Sequence, residues 1–178
     1  MSASSFDENL IPQMALGNGE AFRKLYLATS SIVYGYALSI LKNSADAEDV
    51  MHDAYIRAYN GAATYQPLGK PLAWLLTIVR NLSYNKIRSG KPTVDINAYD
   101  WPSPIDEQKG ALDRIVLRKA LEILDEQERQ IVVLHALAGL KHREIGEVLE
   151  LPTGTVLSKY HRALKRLKTE ISGKEETA

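Results

Sequence analysis

REIGEVLELPTGTVLSKYHRALKRLK, residues Arg143 to Lys168, is the stretch on which the fold turns. Ile145, Gly146, Val148 and Leu149 give a short helix one apolar side, and the small Gly146 leaves room for a second helix to cross closely. Leu151 and Pro152 end that helix, because proline disfavours helical geometry in the residue before it. Thr153 is placed to cap the next helix. At helical spacing this second helix buries Val156, Leu157, Tyr160, Leu164 and Leu167. Thr153, Thr155, Ser158, Lys159, Arg162 and Lys165 are left for the exposed side. The layout is that of a helix-turn-helix, whose second helix sends its N-terminal part into the major groove while nearby cations hold phosphates. Lys141, at the expected start of the first helix, lacks the oxygen with which serine would cap.

Charge supports this. The chain carries 22 basic and 22 acidic residues and no net charge, so the distribution matters more than the sum. Pro152 to Lys168 holds Lys159, Arg162, Lys165, Arg166 and Lys168 and no acidic residue. Lys91 to Asp113 is the reverse, with Asp95, Asp100, Asp106, Glu107 and Asp113 against Lys91 and Lys109. A locally basic helix in a neutral chain suits sequence-selective binding better than indiscriminate coating of phosphate.

Working toward the N-terminus, apolar positions recur at three- and four-residue spacing in Phe22, Leu25, Tyr26, Ile32, Val33, Tyr36, Ala37, Ile40 and Leu41. A break follows at Lys42-Asn43-Ser44, with Ser44 placed to cap a second helix from Asp46 to about Tyr59. A loop holding Tyr65, Pro67, Gly69 and Pro71 precedes a third helix carrying Trp74, Leu75, Ile78, Val79 and Leu82. Gly90, Pro92, Pro102, Pro104 and Gly110 punctuate an acidic segment that reads as a linker. Helical periodicity resumes at Ile115. The fold class is all-α: a helical domain over residues 1–90, a flexible linker over 91–112, a helix-turn-helix domain over 113–172 and a tail over 173–178.

Several function classes are excluded at this level. The chain has no cysteine, hence no disulfide or thiolate metal site, and a reducing compartment is expected. No nucleotide-binding glycine loop, metal-ligand cluster or nucleophile elbow is present, so neither catalytic residues nor a cofactor are expected. Met1 to Asn9 lacks the layout of a signal peptide, and no apolar run suits membrane insertion. The expected location is the cytoplasm.

Phe22-Arg23-Lys24-Leu25-Tyr26, Asp46-Ala47-Glu48-Asp49-Val50, Tyr55-Ile56-Arg57-Ala58, Trp74-Leu75 and Arg80-Asn81 occur in that order. Leu124 with Arg129, Glu144-Ile145 and Pro152-Thr153-Gly154-Thr155-Val156 follow. Together they resemble bacterial RNA polymerase sigma factors of the extracytoplasmic-function group, which join the second and fourth conserved sigma regions by a linker. The resemblance implies a protein that joins core RNA polymerase, directs it to promoter DNA and helps to melt it. It implies polymerase docking by Asp46, Glu48, Asp49, His52 and Asp53. It also implies contact with the downstream promoter box by Tyr65, Lys70, Trp74, Arg80, Asn81, Asn85 and Arg88, with Trp74 the more central to the core and Tyr65 the better partner for a flipped base. The upstream box falls to the exposed residues of the C-terminal helix. An anti-sigma factor is a further partner that the resemblance admits. His52 departs from the family's usual glutamine, and Glu150 stands in the turn where glycine is frequent. The alternative is a stand-alone helix-turn-helix regulator, which would bind a palindromic duplex without polymerase.

Overall fold

Helix α2 (Gly19–Leu41) shows how this sequence starts and stops its helices. The Asn18 side chain accepts from the backbone N–H of Glu20 at 3.1 Å and of Ala21 at 3.2 Å, satisfying donors that have no partner inside the helix. At the other end Lys42 turns left-handed at φ 53°, and its N–H closes on Leu38 O at 2.9 Å. The computed structural model describes residues 6–90, 118–120 and 122–175, and among these every regular element is helical.

Before α2 lies the short α1 (Leu10–Ala15). After it come α3 (Ser44–Gly61), a 3-10 turn (Ala62–Thr64) and α4 (Pro71–Ser89). Pro71 is the first residue of α4, where its missing N–H costs nothing. Among the described residues, the C-terminal unit includes α5 (Glu126–Ala136), α6 (His142–Leu149) and α7 (Thr153–Glu175), with further helical residues at 118–120 and 122–123 ahead of them. Asp125 caps α5 by accepting from Glu128 N–H at 2.8 Å.

Three expectations change at the helix level. Asn43, one residue ahead of Ser44, caps α3 by accepting from Asp46 N–H at 2.9 Å; Ser44 is already helical. On α7, Val156 and Leu167 are buried as expected, but Leu157 and Leu164 are 38% and 40% exposed. The buried seam runs through Val156, Ala163 and Leu167 with Tyr160 half-buried. Ala163 holds the middle because α5 passes close there, and a leucine one step round the helix points past it. Thr153 is the first residue of α7 rather than the one before it.

The last ten residues of α2, from Ile32 to Leu41, are all buried. No amphipathic stripe explains that; the helix is covered on several sides. Helices α3 and α4 pack on it from within the N-terminal unit, and α5 covers it from the C-terminal unit. One apolar cluster runs from Leu25, Tyr36 and Val79 into Ile131, Leu134, Ile145 and Val156. The contact also has polar pins. Tyr36, wholly buried, donates to Gln130 Oε1 at 3.0 Å, and burial pushes its phenol pKa well up, so it stays a donor. Arg129 Nε donates to Ser39 O at 2.6 Å, and Gln130 Nε2 donates to the Tyr84 hydroxyl at 2.8 Å. Two helical domains were expected and two are found, packed on one shared core. The linker assigned to residues 91–112 lies outside the described residues.

Candidate nucleic-acid and polymerase interface

The turn between α6 and α7 is built on one glycine and one strained glutamate. Leu151 N–H donates to Gly146 O at 2.9 Å. A Cβ at Gly146 would stand 2.6 Å from the Leu151 carbonyl oxygen, so the chain returns across α6 only because this position has none. Glu150 makes the return at φ 57°, ψ 41°, a left-handed conformation costing a non-glycine residue about 1 kcal/mol. At the start of α6, the carboxylate of Glu144 accepts from Lys141 N–H at 2.8 Å. This is the reciprocal half of a capping box: it satisfies the N–H of Lys141 itself, not the first-turn N–H groups from which a serine side chain would accept.

This turn leaves the N-terminal end of α7 open. Thr153, Gly154 and Ser158 are exposed, as are His161 and Lys165 further along, whereas Thr155 and Lys159 are half-buried. Opposite the Val156, Ala163 and Leu167 seam, helical spacing aligns Gly154, Ser158, His161 and Lys165. Gly154 has nothing within 4 Å of where a Cβ would stand, so a bulky partner can approach the backbone there.

Arg162 sits differently. Its Nε lies 3.2 Å from Glu128 Oε1, and Arg166 Nη1 lies 2.8 Å from Glu128 Oε2. Glu128 is 1% exposed; a carboxylate so buried must be paired. Arg162 therefore supports α5, and its expected role in reading bases competes with that one.

Three rings meet behind α7. His135 and His142 stack at 4.9 Å with an interplanar angle of 16°, and the Tyr160 ring meets both edge-on at 4.8 and 4.7 Å. His135 Nδ1 is 2.9 Å from Leu140 O. Burial, reinforced by His135 and His161, holds His142 below the ordinary histidine pKa.

In the N-terminal unit the loop from Tyr65 to Lys70 borders a cleft of about 580 Å³. Trp74 forms one wall, its ring 4.8 Å from that of Tyr65 and inclined at 61°. Both aromatics are half-buried. Tyr65 is tied down as well: its hydroxyl donates to Glu8 Oε1, which also accepts from Gly69 N–H at 3.1 Å. Gln66, Pro67 and Leu68 are exposed on the loop, and the apolar Leu68 is 76% exposed. The opposite wall carries Glu147 and Val148 of α6. Lys70 Nζ, expected on DNA, donates to both Glu147 oxygens. The hydrogen bond from Lys70, backed by Arg143, holds the Glu147 carboxyl below its usual range.

On α4, Asn81, Asn85 and Arg88 are exposed along one stripe, with Arg88 donating to Asn85 Oδ1. Arg80 is half-buried, its guanidinium 5.2 Å from the centre of the Tyr84 ring. On α3, Glu48, Asp49, His52 and Asp53 are exposed, and Asp46 is half-buried. Lys86 Nζ ties Asp49 at 3.1 Å and Asp46 at 3.3 Å. Beside this acidic face opens an apolar groove of about 550 Å³ between α2 and α3, lined by Phe22, Tyr26, Tyr55, Ile56 and Tyr59. Ile56 is 59% exposed and Tyr59 42%.

Residues 25–93 match the model of sigma-70 region 2, and residues 114–167 match that of sigma-70 region 4. The chain belongs to the sigma-70 family of sigma factors. Its similarity to curated relatives lies within the extracytoplasmic-function (ECF) group. It is 28% identical over 163 residues to the ECF RNA polymerase sigma factor SigL of Mycobacterium tuberculosis, spanning 88% of this chain and 92% of the relative. It is 28% identical over 177 residues to the ECF RNA polymerase sigma factor SigW of Bacillus subtilis, spanning 90% and 94%. Two solved structures share its fold. CnrH in complex with the cytosolic domain of CnrY superposes with a TM-score of 0.68 at 24% identity, covering 94% of this chain and 97% of that one. The sigma factor RpoE of Bartonella quintana, in complex with the anti-sigma factor NepR, gives 0.66 at 24% identity over 86% and 98%.

As a sigma factor, the protein binds core RNA polymerase and directs promoter-specific initiation; the stand-alone regulator is set aside. Among the described residues no helix is long and apolar enough to cross a membrane. Sequence reading missed the groove, because Phe22, Tyr26 and Tyr55 look like ordinary core positions. Its one legible sign was Ile56, an apolar residue off the buried stripe of α3. Leu68 was likewise outside the expected site.

Proposed function

We propose that this sigma factor divides promoter recognition between two surfaces and docks on polymerase with a third. The N-terminal end of α7 enters the major groove of the upstream box, with Thr153, Ser158 and His161 nearest the bases and Lys159 and Lys165 toward phosphates. The cleft beside Tyr65 and Trp74 takes an unpaired base of the downstream strand, where stacking on aromatics contributes about 1–3 kcal/mol per base. Lys70, Arg80, Asn81, Asn85 and Arg88 hold the adjoining backbone. The α3 face, with Glu48, Asp49, His52 and Asp53 exposed beside Ile56 and Tyr59, meets core polymerase through acidic groups around an apolar centre, the usual anatomy of a stable interface.

The observation that carries this reading is the pair of matched sigma regions on one chain, with the first end of α7 and the α3 groove both exposed. The protein has no chemistry of its own to contribute; catalysis belongs to the polymerase, and the cytoplasm is the compartment in which it works. The solved relatives CnrH and RpoE are held by CnrY and by an anti-sigma factor. An anti-sigma partner of this chain would cover the same α3 groove. Transcription in vitro with purified core polymerase on a set of promoters tests the assignment: promoter-specific transcripts are expected only when the chain is added.

A further inference from the structure

Glu8 lies ahead of α1 and outside both matched regions, yet its carboxylate reaches the loop that borders the Trp74 cleft. A single oxygen, Oε1, accepts from the Tyr65 hydroxyl and from Gly69 N–H. The two donors bracket Gln66, Pro67 and Leu68, so one side-chain atom fastens both ends of the loop. Gly69 sits at φ +72°, a conformation open to glycine at little strain. Glu8 is itself fixed from both sides, since Phe6 and Leu10 are buried in the core cluster and α1 packs on the 3-10 turn that leads into the loop. Burial, then the hydrogen bond to Glu8, pushes the Tyr65 phenol pKa up, so it remains a donor.

We propose that Glu8 is a positioning residue for the downstream box, stapling the Tyr65–Gly69 loop into the shape that receives the unpaired strand. The inference rests on the reading of that cleft as the single-strand site. A loop already held in its binding shape loses less conformational freedom when the strand arrives, and it presents Leu68 and the Trp74 wall in fixed register. The staple needs an acceptor atom, not a negative charge. Glutamine at position 8 keeps the acceptor, and alanine removes it.

The test uses the full chain reconstituted with core polymerase and a promoter on which the wild-type holoenzyme is active. A single-stranded oligonucleotide of its non-template downstream box is compared with a scrambled strand by filter binding. Glu8→Ala is expected to lower the ratio of specific to scrambled affinity about tenfold, within the range of one lost stacking contact. Affinity for core stays unchanged, and Glu8→Gln stays within about twofold of wild type. A wild-type ratio for Glu8→Ala, with Leu68→Ala or Trp74→Ala still lowering it, overturns the staple while sparing the cleft. A wild-type ratio for all three removes the cleft reading itself. Equal damage from Glu8→Gln and Glu8→Ala overturns the staple in favour of a charge effect. Should Glu8→Ala fail to join core, Tyr65→Phe decides, since it deletes one donor and leaves the ring: a partial fall is expected, and a wild-type ratio overturns the proposal.

Discussion

Lys70 Nζ stands 2.8 Å from Glu147 Oε1 and 2.7 Å from Oε2, tying the loop ahead of α4 to the first helix of the helix-turn-helix. A cation assigned to the promoter strand is thus occupied by a carboxylate of the other unit, which takes the place a phosphate would. Glu147→Gln is expected to raise the affinity of the free chain for a single-stranded promoter oligonucleotide. The gain is at most about fivefold, because exposed ion pairs contribute no more than about 1 kcal/mol. Lys70→Ala should lower the same affinity. A gel-shift titration at two salt concentrations checks both, and weaker binding by Glu147→Gln would refute the competition.

Arg162 and Lys165, both exposed on α7, should separate in their effects. Arg162→Ala leaves the buried Glu128 with Arg166 alone, and it is expected to destabilise the fold by about 1–3 kcal/mol, the order of cost when a buried charged group loses one of its partners. Lys165→Ala should leave the melting temperature unchanged, weaken duplex binding across sequences and reduce the salt slope by about one. Thermal unfolding by circular dichroism, with duplex binding over a salt series, separates them. A folded Arg162→Ala with altered base preference would restore that residue to the recognition face.

The ring cluster of His135, His142 and Tyr160 makes the C-terminal unit sensitive to acid. Folding holds His142 below its ordinary pKa of 6.5. Above about pH 6.5 folded and unfolded chains are both neutral there, and stability is complete. As the pH falls through that value the unfolded chain takes up the proton first, so stability is lost toward the lower folded pKa. A melting temperature that drops between pH 7.5 and 5.5, and drops less in His142→Phe, is the expected result of about one titrating group. Equal slopes would show that the cluster is not responsible.

At the turn, two substitutions should act in opposite directions. Gly146→Ala drives a Cβ into the Leu151 carbonyl and is expected to destabilise by about 1–3 kcal/mol, as overpacking does. Glu150→Gly relieves the left-handed residue and should stabilise by up to about 1 kcal/mol, the strain relief less the greater freedom of unfolded glycine. Chemical denaturation of the two variants tests both signs.

The helices were legible because α4 and α6 carry periodic apolar faces, and the turn because proline and a small residue must fall where Pro152 and Gly146 fall. The linear pattern could not tell which of two adjacent polar residues caps α3, since Asn43 and Ser44 both serve chemically. It also misplaced Leu157 and Leu164, because periodicity allows a seam one residue either side and only the approach of α5 selects Ala163. The packing of the two units was hidden for a further reason. Gln130, Arg129 and Glu128 look like surface residues until Tyr36, Ser39 O and Arg166 are known to lie opposite them. Tyr65 read as a free stacking residue because nothing in its own loop announces Glu8, which is 57 residues away.

The half-buried indole of Trp74, in contact with Tyr65 on the wall of the cleft, gives the protein a built-in optical probe. The chain's other tryptophan, Trp101, lies outside the described residues, and Trp101→Phe isolates the signal. A nucleobase entering the cleft would quench Trp74 emission by stacking, and withdrawal of Glu147 would shift the emission to the red by admitting water. Strand capture and separation of the two units thus become distinguishable in one unlabelled cuvette, and stopped-flow mixing can order them in time.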